Sequence, residues 1–92
     1  MQCWVICFDI EDDAIRRRVG KRLLAYGKRV QWSVFEVLVG NAVELDRLRV
    51  ELDEMIGDAG NLRLYPLCRD CRRQAIDQEG KPAVQFPHAH VL

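Results

Sequence analysis

Six apolar residues, 3–8, run without a break and end at Asp9. A short run of β-branched, aromatic and cysteine side chains suits a strand buried on both faces. Alternation puts Cys3, Val5 and Cys7 on one face with Asp9, and Trp4, Ile6 and Phe8 on the other. Asp9 therefore stands where the strand emerges at the rim of its sheet. Beyond it, Asp12 and Asp13 supply a cap and a first-turn acid for a helix. Ile15, Val19, Leu23 and Tyr26 recur at helical spacing as its apolar stripe, with Arg17 and Lys21 facing away and Arg18 and Arg22 flanking. Gly27 is expected to end the helix as its C′ residue.

The pattern predicts one strand over residues 30–39. Its centre is apolar on both parities, Trp32 and Val34 on one, Phe35 and Val37 on the other. Asn41 followed by Glu44 resembles a capping box, and Leu45, Leu48, Leu52, Met55 and Ile56 make a second helical stripe. Residues 57–60, Gly-Asp-Ala-Gly, form a turn. Residues 61–67 read as a strand in which Leu62 and Leu64 alternate with Arg63 and Tyr65, and Pro66 belongs at its end or on an edge. Residues 69–73 are charged and ambiguous. A short strand over 74–77, a turn over 78–82 and a last strand over 83–86 complete the pattern, and 87–92 carry no periodicity. Two crossovers in so short a chain fit a sheet with both helices on one face. The other face then needs a cover, and a second copy packed sheet against sheet is the economical one.

The chain has 92 residues, which is one domain. At 49% hydrophobic it is not a disordered tail. Formal net charge is zero, so global charge does not argue for nucleic acid. The charges are segregated, however: Arg16, Arg17, Arg18, Lys21, Arg22, Lys28 and Arg29 lie close together, and the acids concentrate later. A local basic patch is what a phosphate backbone responds to. No stretch reaches the ~18 apolar residues that span a membrane. With no charged-then-apolar leader, the expectation is a cytoplasmic protein whose four cysteines are thiols.

Asp9 is the leading candidate for chemistry. A carboxylate at the end of a buried strand is costly unless it meets water, a cation or a donor. As a Mg²⁺ or Mn²⁺ ligand it would need little help, since Mg²⁺ commonly takes one or two carboxylates plus waters and phosphates. One Asp per chain is thin, and two across a dimer axis suffice. The plainer alternative is a cap on the adjoining loop. Cys68 and Cys71 form a lone C-x-x-C, short of the four ligands of a structural zinc. A redox pair wants the start of a helix after a strand, and a simple turn with two thiols competes. Ser33 with His88 or His90 lacks an orienting acid, and no glycine run matches a phosphate loop. Trp32 and Phe35 read either as base-stacking residues or as core.

Phe8-Asp9-Ile10-Glu11-Asp12-Asp13, then Arg16 and Arg18, Tyr26-Gly27, residues 29–36 (Arg-Val-Gln-Trp-Ser-Val-Phe-Glu) and residues 63–68 (Arg-Leu-Tyr-Pro-Leu-Cys) together resemble the small CRISPR-associated endoribonuclease family, the Cas-two proteins. The likeness runs from the amino end to about Cys71. It implies an α+β fold: a ferredoxin-like βαββαβ sandwich, an antiparallel sheet with two helices on one face and an extra carboxyl-terminal strand. It also implies a hairpin within or around residues 30–39, where periodicity shows no break. Residues 1–92 would be a single domain, with a core over 1–71 and a tail over 72–92 whose strand, near 83–86, crosses to a dimer partner.

The resemblance further implies a role in spacer acquisition. Asp9 matches the family's metal-binding and catalytic aspartate. Arg16, Arg18, Arg29, Ser33 and Phe35 match positions tied to nuclease activity and nucleic acid. Phe8 stands where Tyr is common, so a hydroxyl is missing. The expected function is a Mg²⁺-dependent endonuclease acting on RNA or double-stranded DNA as a homodimer. The alternative is a non-catalytic DNA-binding scaffold that bridges the CRISPR integrase. A metabolite-binding regulatory module is a third reading, which no pocket signal supports.

Overall fold

A computed structural model describes residues 1–83. The elements run β1 (Gln2–Ile10), α1 (Asp13–Leu23), β2 (Gly27–Gln31), β3 (Val34–Val39), α2 (Ala42–Ile56), β4 (Gly60–Pro66) and α3 (Arg69–Gln74). The sheet is antiparallel, in the order β2-β3-β1-β4. This is the α+β, ferredoxin-like βαββαβ arrangement, with a short third helix added. The strand expected over 83–86 lies almost wholly outside the described residues, as do His88 and His90.

One face of the sheet holds the core. Ile6, Phe8 and Ile10 of β1 and Phe35, Val37 and Val39 of β3 pack against Val19 and Leu23 of α1 and Leu48, Leu52 and Ile56 of α2. Leu62 and Leu64 of β4 join them, as the alternation in that strand predicts. The two helix starts follow from their caps. Asp12 Oδ1 accepts from Ile15 N at 2.9 Å, and Asn41 Oδ1 accepts from Glu44 N at 2.9 Å. Glu44 Oε2 reaches back to Gly40 N at 3.0 Å, one residue before the usual capping-box partner. Pro66 closes β4, an edge strand, where a missing N–H costs no ladder bond.

Three expectations from periodicity are corrected. Residues 30–39 are not one strand but a hairpin, with Trp32 and Ser33 in the turn. A bulge between Arg29 and Gln31 shifts the register there, so Val30 is extra and the parity resets. Gly27 is not a helix stop but the first residue of β2. A Cβ there would overlap the Glu36 carbonyl oxygen and sit 2.7 Å from Val37 Cα, so the two strands approach too closely for any side chain. Residues 69–73 form a helix, and 74–77 contribute only an isolated bridge, Ile76 to Pro82.

Candidate nucleic-acid interface

The candidate residues gather at one end of the sheet, where β1 leaves it and α1 begins. Phe8 N donates to Ser33 O at 3.1 Å, which fastens the β2–β3 turn beside Asp9. Asp9 is exposed and stands opposite Asn61 of β4. It belongs to the face without the two main helices, in line with Cys7 and Arg63. Among the described residues no group of three or more His, Cys, Asp or Glu is placed to hold a metal ion. Asp9 contributes one exposed carboxylate per chain. That suits an ion that takes one or two carboxylates, provided a second copy supplies the other.

The arginines lie at the same end on the helix side. Arg16 Nη1 donates to Ile10 O at 2.8 Å, and its other terminal nitrogen pairs with Asp13. Its guanidinium carbon lies 5.8 Å from the centre of the Trp32 ring. Arg29 comes to the same ring from β2, at 5.3 Å, and also covers the ring of Phe35 at 5.1 Å. Gly20, buried within α1, makes room for it: a Cβ there would sit 2.7 Å from Arg29 Nη2 and 3.4 Å from Phe35 Cζ. A helix-interior glycine costs about 1 kcal/mol against alanine, and here it leaves space for the tip of the Arg29 side chain. Arg18 is exposed on α1. Arg22 has a different role, donating to Glu51 of α2 at 2.7 Å and to the Tyr26 hydroxyl at 3.2 Å, which ties the two helices together.

Two expectations about aromatic residues exchange places. Phe35, expected at the nucleic acid, has no exposed surface and stacks on Phe8 with ring centres 5.8 Å apart. Its side chain faces the helices because β3 pairs it with Ile6, so it reaches the surface only through the Arg29 laid over it. Trp32, weighed as core, is 67% exposed at the tip of the hairpin. Ser33 is half-buried beside it, its carbonyl engaged by β1.

Sequence reasoning missed Glu36. It is 3% exposed on the face opposite the main helices, its Oε2 has no hydrogen-bond partner, and burial pushes its carboxyl up. Lys28, its cross-strand partner, acts in the opposite sense. A charged residue between Phe35 and Val37 on a strand apolar on both parities was the available signal. The Cys68/Cys71 pair is also better placed than a simple turn. Cys68 caps α3 just after β4, and Cys71 N donates to its sulfur at 3.3 Å. A hydrogen bond from the Cys71 thiol draws the Cys68 thiol down and pushes Cys71 up.

Residues 1–75 match the family described as CRISPR associated protein Cas2. The chain is 42% identical over 78 residues to CRISPR-associated endoribonuclease Cas2 4 of Rhodospirillum rubrum, a match covering 84% of this chain but 62% of that protein. It is 42% identical over 76 residues to CRISPR-associated endoribonuclease Cas2 2 of Synechocystis, covering 82% of each. Among solved structures, it superposes with a TM-score of 0.83 and 32% identity on a chain of a partial Cas6-RT-Cas1–Cas2 complex, covering 94% of this chain and 100% of that one. Streptococcus pyogenes Cas2 gives a TM-score of 0.72 at 26% identity, covering 82% and 96%.

Proposed function

This chain belongs to the Cas2 family of CRISPR-associated proteins, and from that premise we propose that it is a Mg²⁺-dependent nuclease of the adaptation step, acting as a homodimer on RNA or double-stranded DNA. The observation that carries the reading is an exposed strand-end carboxylate, Asp9, at the same end of the sheet as the cations Arg16 and Arg29, which lie on the helix side. The other sheet face, where Val5, Cys7, Val34 and Leu38 are only half-buried, supports a dimer. A second copy packed there would cover them and bring two Asp9 carboxylates to one seam.

Asp9 from each copy would hold the ion, Mg²⁺ or Mn²⁺. Bound there, the metal supplies polarisation of a phosphoryl oxygen and a more acidic water. The chain's own residues do the rest. Arg29, exposed on β2 with its guanidinium laid over the Trp32 and Phe35 rings, would meet a phosphate, and Arg16, whose guanidinium is engaged by the Ile10 carbonyl and Asp13, would add its charge beside it. Arg18 adds an exposed charge on the same helix. Ser33 sits in the turn that carries Trp32 past the sheet edge. Asp9→Asn keeps the shape and removes the charge. The expected result is loss of cleavage of RNA and duplex DNA in Mg²⁺ with binding retained, and a parent-like cleavage rate refutes the mechanism.

A second reading has its own support. The Arg16–Trp32–Arg29 group lies on the helix side of the sheet, whereas Asp9 is on the opposite face. In that reading the dimer positions duplex DNA for the larger CRISPR integrase without cutting it. Likeness to a chain of a complex that contains Cas1 favours it. Spacer acquisition in cells separates the two: retained acquisition in Asp9→Asn supports the scaffold, and lost acquisition with integrase binding intact counts against it.

A further inference from the structure

We propose that Trp32 is a stacking platform for an unpaired base of the bound nucleic acid. The inference rests on the nucleic-acid reading above and narrows its substrate to strands with an open end, an overhang or a splayed step. Trp32 exposes 67% of its surface at the tip of a hairpin, a costly place for the largest apolar side chain. The ring is nonetheless held. Arg16 and Arg29 stand 5.8 and 5.3 Å from its centre, near the ~6 Å limit of a cation–π contact. Both cations are themselves fixed, Arg16 by the Ile10 carbonyl and Asp13, Arg29 by Phe35. The indole is therefore positioned in advance and still largely open.

The chemistry around it selects the occupant. Two guanidinium groups over a largely exposed indole match a ligand that carries phosphates and flat rings together. A base inside a duplex has both faces covered by its neighbours, whereas an unpaired base offers one. Stacking on an aromatic side chain is worth about 1–3 kcal/mol per base. A second copy of this chain is the other candidate cover, but a self-complementary contact through this patch would bring its cations against their own copies.

The test measures binding of the full chain, by fluorescence anisotropy, to a blunt DNA duplex, the same duplex with a 3′ overhang, and a single-stranded RNA. Trp32→Ala should weaken the overhang and single-strand probes roughly 5- to 150-fold, the fold-change equivalent of one stacked base, and move the blunt duplex by no more than about twofold. Trp32→Phe keeps a ring and should retain most of the affinity. Equal loss on all three probes, or no loss on any, overturns the proposal. So does a Trp32→Ala chain that sediments as a smaller species than the parent, since the ring would then be covered by a second copy. A parent chain that binds none of the probes overturns the nucleic-acid reading itself, and this proposal with it.

Discussion

Phe35 is the position where fold and function are most easily confused, and Phe35→Ala separates them. The ring has no exposed surface, stacks on Phe8 and lies under Arg29. Burial of such a side chain contributes about 1.5–3 kcal/mol. The aromatic pair adds about 0.5–1.5 kcal/mol and the cation–π contact roughly another 0.5–1 kcal/mol. These terms agree with the ~3–5 kcal/mol measured for Phe→Ala in cores, cavity included. A chain of this length has roughly 5–14 kcal/mol in all, so the variant loses a large share of its stability. Urea denaturation of parent and variant should show that loss, and thermal denaturation a fall in Tm of at least ~12 °C. Any binding or cleavage defect of Phe35→Ala beyond that of Arg29→Ala should then disappear when it is assayed well below its own midpoint. A variant that keeps its stability to within about 1 kcal/mol and still loses nucleic-acid binding would show that Phe35 meets the ligand, and would refute the reasoning.

Glu36 makes stability depend on pH. Burial raises its carboxyl, so the folded chain keeps a proton that the unfolded chain releases earlier as pH rises. The contribution that favours folding is full below the unfolded pKa and is lost as pH climbs through the folded one. Glu36→Gln should therefore raise Tm more at about pH 8 than at about pH 4, and a pH-independent change would show that its charge is satisfied. Thiol alkylation followed by mass spectrometry should modify Cys68 first, then Cys71, and Cys3 last. Hydrogen bonding lowers the first and raises the second, and burial pushes Cys3 up to about 11. Equal rates for Cys68 and Cys71 would contradict the thiol–thiol bond.

Much of the fold could be read from residue types. Asp12 and Asn41 mark both long helices because a short side-chain acceptor at a helix start has few other uses. The alternation of Leu62 and Leu64 with Arg63 and Tyr65 identifies the buried side of β4. The hairpin could not be read from periodicity, since Trp32 is not a turn former and the bulge at Val30 hides the reversal inside an apolar run. Only the family likeness implied it. The same hidden turn explains the exchange of Phe35 and Trp32: two residues spent turning place Trp32 beyond the strand and leave Phe35 within it. Arg16 was legible as a basic candidate, but its lock onto the Ile10 carbonyl depends on where β1 ends in space. Gly20 carried no signal, because the arginine tip beside it comes from a strand nine residues away in sequence.

In the proposed mechanism Asp9 of each chain is half of a metal site, and the half-buried Val5, Cys7, Val34 and Leu38 mark the sheet face on which a second copy would bring the other half. Mn²⁺ titrated into the protein with an uncleavable phosphorothioate RNA, followed by electron paramagnetic resonance, counts the ions directly. The account predicts one tightly held Mn²⁺ for every two chains, absent in Asp9→Asn. One ion per chain, or an ion that persists when both Asp9 carboxylates are gone, would contradict it.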